Sequence, residues 1–168
     1  SELSKFKTIL VDNSQSKKTL EIVKNFPNID YIQTKKNIGY GQANNLGVNK
    51  SKTPFIMILN PDILVNSRAI QTLYDKYFIY ENVGALAPSL YDADNNRRSN
   101  GSISRLKTKN TKSLKFNKKY LAQGDTCYDF VVGCSLFMRK DFFLDIGGFD
   151  KNFFMYFEDN DLCDKIKR

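Results

Sequence analysis

Short apolar segments alternate with longer amphipathic segments through the first half of the chain. The apolar segments have the length and composition of buried strands in a parallel sheet. They predict strands at residues 7–11, 29–33, 54–59 and 83–87. The segments between them predict helices at residues 16–26, 40–50 and 67–80. This alternation predicts an α/β domain with a largely parallel sheet.

Two of these helices carry clear signals. The helix at residues 16–26 is predicted to be capped by Ser14 or Ser16 and to end at Pro27. Its predicted apolar side consists of Leu20, Ile22, Val23 and Phe26. The apolar stripe of the helix at residues 67–80 consists of Ile70, Leu73, Tyr77 and Tyr80. The carboxyl-terminal part predicts paired strands at 128–139 broken near Gly133, a helix at 140–146 and a last helix from Glu158.

Polar residues follow the first three predicted strands. They are Asp12, Asn13 and Ser14 after the first, Asn37, Gly39 and Gly41 after the second, and Asn60, Pro61 and Asp62 after the third. Ligands of open α/β sheets collect where the carboxyl ends of strands meet. Each cluster alone is also typical of an ordinary turn. Together they predict a nucleotide or sugar-phosphate site, with Asp62 as a potential metal ligand.

Composition removes several chemistries. The 168 residues include no histidine, which excludes Ser-His-Asp and Cys-His nucleophiles and histidine-ligated metals within this chain. Cys127, Cys134 and Cys163 have no CxxC spacing and are predicted to be reduced thiols. The longest purely aliphatic run, residues 55–59, is far shorter than the roughly 20 residues that span a bilayer.

Positive charge is concentrated in one segment. The chain has 26 Lys and Arg against 18 Asp and Glu, a net charge of +8. Residues 97–119 hold nine basic residues and no acidic ones, so the rest of the chain is nearly neutral. We interpret this segment as an exposed, mobile loop, either simply solvated or attracted to lipid headgroups, a phosphate-bearing substrate or nucleic acid. Few aromatic residues are interleaved, which disfavours stacking on single-stranded nucleic acid.

Four motifs occur in order along the chain: VDNS at 11–14, NIGYGQANN at 37–45, LNPD at 59–62, and a longer block at 147–163. The last block reads GGFD, then FFMYFED, then NDLC. This set resembles the family 2 glycosyltransferases of the GT-A fold, most closely their rhamnosyltransferase-like branch. The resemblance covers nearly the whole chain, and the last block is its most specific part.

The resemblance implies transfer of a sugar, rhamnose among the possibilities, with inversion at the anomeric carbon. The implied donor is a dTDP- or UDP-linked sugar. The implied acceptor is a growing bacterial surface polysaccharide or a lipid-linked glycan. The implied location is cytoplasmic, either free or peripheral at the inner face of the cell membrane. Two alternatives stay open: an inactive relative that binds a sugar nucleotide or glycan, and a basic module that binds membrane or nucleic acid.

The resemblance also assigns residues. The implied nucleotide-binding residues are Asp12, Asn13, Ser14, Asn37, Gly39, Asn44, Asn45 and Asn60. Asp62 would hold Mg²⁺ or Mn²⁺, with Asn60 standing where the family's DxD motif has its first aspartate. Asp159 would be the general base, supported by Glu158, although acidic residues are also typical of helix starts. The aromatic residues Phe149, Phe153, Phe154 and Tyr156 are expected to pack in the core, with sugar stacking as the alternative.

Family members normally have an additional strand and helix before the position of Lys7, and they continue past Arg168. The resemblance therefore implies that residues 1–168 are one partial domain whose first strand is missing. An incomplete sheet exposes strand edges that invite pairing, so we expect a homodimer or strand exchange.

Overall fold

The computed structural model describes residues 6–102 and 124–168. Five helices lie in these ranges: α1 (Lys18–Val23), α2 (Tyr40–Lys50), α3 (Ser67–Tyr77), α4 (Lys140–Asp145) and α5 (Glu158–Lys167). The longer strands are β1 (Thr8–Asp12), β2 (Ile29–Gln33), β3 (Phe55–Leu59) and β8 (Ser135–Arg139). Four two-residue strands complete the set: β4 (Leu90–Tyr91), β5 (Arg97–Arg98), β6 (Gly101–Ser102) and β7 (Phe130–Val131). The predicted α/β class is confirmed.

The prediction of a largely parallel sheet needs correction. Within residues 6–102 and 124–168, only β1 and β2 pair in parallel, with Thr8 opposite Ile29. β3 pairs antiparallel with β8, Leu59 lying opposite Ser135, and the short pairs β4–β5 and β6–β7 are also antiparallel. Parallel pairing requires a crossover such as α1 between the strands. β8 instead follows β7 after a short turn, and its direction is antiparallel to that of β3.

The predicted strand at residues 83–87 is wrong. The structure has a single bridge there, in which Leu86 and Phe137 exchange two backbone hydrogen bonds of 2.8 Å. Gly84 explains why the segment departs from a strand, because a Cβ at this position would lie 2.2 Å from Cγ2 of Ile166. The backbone at Gly84 therefore packs directly against α5.

Two predicted helices are too long. α1 ends at Val23, and Ile22 and Phe26 are more than half exposed rather than part of a buried face. Pro27 disfavours helical geometry at Phe26, which limits the length of α1. α3 ends at Tyr77, after which Phe78 and Ile79 bond three residues back, to Asp75 and Lys76.

The segment around Gly133 breaks as predicted, but its two strands pair with different partners. β7 pairs with β6, and β8 pairs with β3. The described part of the basic segment, residues 97–102, forms β5 and β6 rather than a loop, and Arg98 lies 2.7 Å from Asp92. Residues 103–119 of that segment lie outside the described residues.

One hydrophobic cluster forms the core and is contributed by α2, β3, β8, α4 and α5. Its buried members are Val48, Ile56, Ile58, Leu136, Met138, Phe143, Phe149 and Leu162. The parallel pair lies beside this core, with Gly47 of α2 close enough to β1 that a Cβ would lie 3.3 Å from Val11. No helix in residues 6–102 or 124–168 is long and apolar enough to cross a membrane.

Candidate functional site

β1 ends at Asp12, whose buried carboxylate accepts hydrogen bonds from other residues of the chain. The backbone N–H of Ser14 donates to Oδ1 at 2.7 Å, and the hydroxyl of Tyr31 donates to Oδ2 at 2.8 Å. Burial acts to raise the pKa of Asp12, but these hydrogen bonds outweigh it and hold the pKa below its ordinary value. Asp12 is therefore a fixed negative charge at the end of β1. The side chain of Ser14 is exposed and accepts from the backbone N–H of Ser16.

Asn13 connects the end of β1 to the loop that precedes α2. Its Nδ2 donates to the carbonyl of Gly39 at 3.1 Å, and its Oδ1 accepts from the backbone N–H of Ile38 at 3.4 Å. Asn37 stabilises the same loop, because its Oδ1 accepts from the N–H of Gly39 at 2.9 Å. Gly39 has a φ of 84°, and a Cβ there would lie 2.4 Å from the carbonyl oxygen of Phe154. Only glycine satisfies both constraints.

The two predicted nucleotide contacts within α2, Asn44 and Asn45, are directed at the protein itself. Nδ2 of Asn44 donates to the carbonyl of Tyr40, one turn back in the helix. Nδ2 of Asn45 donates to the carbonyl of Phe149 at 2.7 Å, and its Oδ1 accepts from the N–H of Phe149 at 3.0 Å. A nucleotide contact by Asn44 or Asn45 stays a prediction, and each amide already has a protein partner.

The residues that follow β3 lie against the turn that precedes β8. The N–H of Asn60 donates to the carbonyl of Cys134 at 2.9 Å. Oδ1 of Asn60 is buried and has no hydrogen-bond partner among the described residues. Asp62, two residues further on, is exposed. A buried acceptor without a donor is uncommon and is satisfied by an ion or water in many proteins.

The acidic pair that begins α5 occupies two different environments. Glu158 is 7% exposed, and its Oε2 has no hydrogen-bond partner within the described ranges. Asp159 is half-buried, and its Oδ2 accepts from the N–H of Gly133 at 3.1 Å. Neighbouring side chains on a helix diverge by about 100°, which accounts for one inward and one outward carboxylate.

Hydrogen bonds, each with a backbone group on at least one side, join these clusters into one region. Nδ2 of Asn13 donates to the carbonyl of Gly39. Tyr40 donates its N–H to the carbonyl of Phe154 and its hydroxyl to the carbonyl of Gly133. The N–H of Gly133 in turn donates to the carboxylate of Asp159, and the carbonyl of the adjacent Cys134 accepts from the N–H of Asn60. Burial raises the pKa of the Cys134 thiol, and the charges of Asp62 and Asp159 raise it further. The hydrogen bonds therefore attach Asp159 and Asn60 to two adjacent residues, Gly133 and Cys134.

The aromatic residues before α5 divide into a core part and an exposed part. Phe149 is 1% exposed and belongs to the core, as expected. Phe154, Tyr156 and Phe157 are each more than half exposed, so the expectation of core packing is wrong for Phe154 and Tyr156. Tyr156 and Phe157 both have positive φ, at 68° and 67°. Strained backbone of this kind is concentrated at functional sites.

The carboxylates do not form a closed metal cage. The described ranges contain no group of three or more His, Cys, Asp or Glu residues that could hold a metal ion. A surface depression of about 740 Å³, lined partly by Tyr77, Arg139 and Ile166, includes none of the predicted site residues. The hydrogen-bonded cluster around Gly133, rather than an enclosed cavity, therefore defines the candidate site.

Sequence reasoning missed Tyr40 and Gly133 as members of this region. Gly133 was predicted only as a break between strands. A Cβ at Gly133 would lie 3.0 Å from Cβ of Asp159, so glycine permits the close approach. No pattern within either segment indicates this contact, because 26 residues separate its partners. The three cysteines are free, as predicted.

Two solved structures share the fold. A mannosyltransferase from Pyrobaculum calidifontis, solved with GDP-Man and Mn²⁺, aligns with a TM-score of 0.64 at 12% identity. The alignment covers 97% of this chain and 43% of that one. GalNAc-T7, solved with UDP, GalNAc and Mn²⁺, aligns with a TM-score of 0.58 at 14% identity, covering 95% and 34%. These similarities confirm the predicted GT-A fold.

Sequence comparisons give relatives of one kind. An N-acetylglucosaminyl-diphospho-decaprenol L-rhamnosyltransferase of Mycobacterium tuberculosis is 26% identical over 183 aligned positions, covering 94% of this chain. The rhamnosyltransferase WbbL of Escherichia coli K12 is 27% identical over 173 positions, also covering 94% of this chain. The chain spans 60% and 65% of the length of these two relatives. The profile of the family described as glycosyl transferase family 2 matches residues 2–147, and the chain belongs to that family.

Proposed function

We propose that this chain is the donor-binding and catalytic part of an inverting glycosyltransferase that uses a nucleotide diphosphate sugar. The observation that carries the proposal is the hydrogen-bonded cluster around Gly133 and Cys134. Asp159 binds Gly133, and Asn60, two residues before Asp62, binds Cys134. This arrangement supports a base that acts on the acceptor beside a metal-binding carboxylate that serves the donor diphosphate. The curated relatives are rhamnosyltransferases, which favours rhamnose as the transferred sugar.

The donor is proposed to lie across the ends of β1 and β3. Asp12, Asn13, Ser14, Asn37 and Gly39 are the proposed nucleotide contacts, and Asn60 is placed toward the diphosphate. Asp12 is a fixed anion suited to accept hydrogen bonds from a base or ribose. The loop at Gly39 adds backbone groups that only a glycine allows to approach closely.

The oxygen donors beside β3 suit a divalent cation. Oδ1 of Asn60 is buried without a partner, and Asp62 contributes an exposed carboxylate two residues away. Mg²⁺ and Mn²⁺ are held in many phosphate sites by one or two protein oxygens, with substrate phosphates and water completing the shell. We propose that Asn60 and Asp62 hold such an ion, which when bound neutralises charge on the departing diphosphate.

Asp159 is proposed to act as the general base. Its carboxylate takes the proton of the acceptor hydroxyl, while that oxygen forms a bond to the anomeric carbon. The bond from the anomeric carbon to the diphosphate breaks, and its electron pair leaves with the diphosphate. The N–H of Gly133 orients the carboxylate of Asp159. Glu158 is buried, and it is proposed to support Asp159 rather than to take the proton itself.

The exposed aromatic turn at residues 154–157 is proposed to contact the acceptor. Tyr156 and Phe157 immediately precede the acidic pair, so an acceptor hydroxyl that reaches Asp159 passes close to their rings. Aromatic faces contribute hydrophobic contact to the apolar faces of sugar rings. The lipid-linked nature of the acceptor, a peripheral membrane location through residues 97–119, and a homodimer all stay predictions.

A thermal-shift panel tests the proposal. Uridine and thymidine diphosphates, each with Mn²⁺, are expected to raise the Tm of the chain and of the complete natural protein. Saturation at 100 times Kd adds about 2.7 kcal/mol to the free energy of unfolding. Mn²⁺ alone and oligonucleotides of similar charge serve as controls. Stabilisation by oligonucleotides but by neither nucleoside diphosphate would contradict a transferase and favour a basic binding module.

A further inference from the structure

Tyr40, the first residue of α2, is bonded to two other segments of the chain. Its backbone N–H donates to the carbonyl of Phe154 at 3.1 Å. Its hydroxyl donates to the carbonyl of Gly133 at 2.7 Å. Phe154 lies in the turn that enters α5, and Gly133 lies in the turn that precedes β8. Tyr40 therefore connects the turn that precedes Asp159 in the chain with the turn whose Gly133 donates to Asp159.

The bond to Gly133 is relevant to Asp159 because both involve the same residue. The carbonyl of Gly133 accepts from Tyr40, and its N–H donates to Oδ2 of Asp159. These two groups flank a single Cα, so restraining the carbonyl limits the directions in which the N–H can point. Glycine is the most flexible residue of the backbone, and an external restraint has its largest effect there.

Tyr40 is itself held in place. Its ring makes an edge-to-face contact with the buried Phe149, with centroids 5.9 Å apart. Burial raises the pKa of the Tyr40 hydroxyl, and the nearby charges of Glu158 and Asp159 act in the same direction. The hydroxyl is consequently protonated throughout the working pH range and remains a donor.

We propose that Tyr40 is a positioning residue, which orients the carboxylate of Asp159 through Gly133 and thereby controls turnover rather than donor binding. This inference rests on the proposed function, in which Asp159 is the base. Small displacements of a reacting group lower rates by up to about 100-fold. For loss of one supporting hydroxyl, we expect a fall in kcat of roughly 10-fold.

The first test needs no activity. Tyr40→Phe keeps the ring and the backbone N–H and removes only the hydroxyl. In NMR spectra of this chain, the amide proton of Gly133 is expected to shift upfield and to exchange about fivefold faster with solvent, because its bond to Asp159 weakens. Tyr77→Phe is the matched control, since the Tyr77 hydroxyl also donates to a backbone carbonyl, that of Val83 at 2.9 Å. An unchanged Gly133 amide in a folded Tyr40→Phe protein overturns the inference.

The second test uses turnover by the complete natural protein. Tyr40→Phe is expected to lower kcat while the donor KM stays within about twofold. In an Asp159→Asn background, Tyr40→Phe is expected to cause no further loss, because both changes act through the same carboxylate. Independent, multiplicative losses overturn the positioning role. Normal turnover by Asp159→Asn alone contradicts the proposed function instead, and it does so independently of the NMR result.

Discussion

The amino-terminal parallel pair and the central core use similar apolar strands but bury them differently. β1 (TILVD) and β3 (FIMIL) are both five residues long and rich in branched or aromatic side chains. In β1 and β2 the only buried residue is Asp12, whereas four of the five residues of β8, the partner of β3, are buried. The proposed nucleotide contacts therefore lie largely on the less buried region, and the proposed base lies on the core.

This difference separates two tasks. Asp159 is carried by α5, whose Leu162 is completely buried, so the reacting group is fixed by the most stable part of the molecule. Asp12 and Asn13 end a strand that is covered less well, and regions of lower local stability adjust more readily to a ligand. Changes in the core are expected to affect turnover and global stability, and changes in the parallel pair are expected to affect donor affinity.

The largest expected effect is on turnover. Asp159→Asn in the complete natural protein should lower kcat by about 10²–10⁴-fold with little change in donor KM, because it removes the base but not the donor contacts. Steady-state kinetics with varied donor measure this. Asp164→Asn is the control, since Asp164 is exposed on the same helix and pairs with Lys167 at 2.7 Å. If kcat is undiminished in Asp159→Asn, the acidic pair serves only as the start of α5 and has no catalytic role.

The next effect compares stability between the two regions. Leu162→Ala leaves a cavity in the core and should lower the free energy of unfolding by about 2–5 kcal/mol. Leu10→Ala in β1 removes a half-buried side chain and should lower it by about 1 kcal/mol. Urea denaturation of both variants gives the comparison. Equal losses of unfolding free energy would show that β1 contributes as much to the stability of the core as α5 does.

Asn45 provides a sharper distinction within α2. Asn45→Ala removes the partner of the Phe149 N–H and leaves the Phe149 carbonyl with only Nε2 of Gln42 at 3.5 Å, so it should lower the free energy of unfolding by about 1–3 kcal/mol. Nucleotide affinity of the folded variant should stay unchanged, because both polar atoms of the amide are already used within the protein. Asn49→Ala, on an exposed position of the same helix, is the control. A loss of nucleotide affinity without a loss of stability would show that Asn45 contacts the donor.

The smallest effect concerns pH. The pKa of Asp12 is lowered from its ordinary 3.8 in the folded chain. Its ionised form therefore stabilises the fold above about pH 4, and this contribution is lost as the pH falls through the folded value. The difference in unfolding free energy between wild type and Asp12→Asn should shrink as the pH falls from about 5 to about 2. This interval brackets the ordinary pKa of an aspartate. A difference that does not vary with pH would mean that the carboxylate charge is irrelevant.

Local patterns predicted much of this fold. β2 and α2 begin and end at the predicted residues, and the other long strands and α4 match closely, because each is read from a contiguous pattern. The partners of the strands were not predictable in this way. β3 and β8 pair across more than seventy residues, and the bridge at Leu86 depends on how Gly84 packs against Ile166.

The candidate site shows the same division. The motifs identified Asp159 and Asp62, but Gly133, which donates to Asp159, was predicted only as a break between strands, and no local motif assigned Tyr40 a role. The exposure of Phe154 and Tyr156 was also mispredicted, since an aromatic-rich segment usually packs inward. Tyr156 and Phe157 also have positive φ, a geometry that local patterns do not predict at non-glycine positions.

Metal-dependent nucleotide binding tests the central claim most directly, namely that the ends of β1 and β3 form one donor site. Calorimetric titration of uridine or thymidine diphosphate should give at least about tenfold higher affinity with Mn²⁺ than without it, a difference of about 1.4 kcal/mol. Asp62→Ala should abolish that gain and leave metal-free affinity unchanged, while Asp94→Ala, at an exposed turn, should alter neither. Equal losses with and without Mn²⁺ in Asp62→Ala, or a gain that persists, would contradict the account.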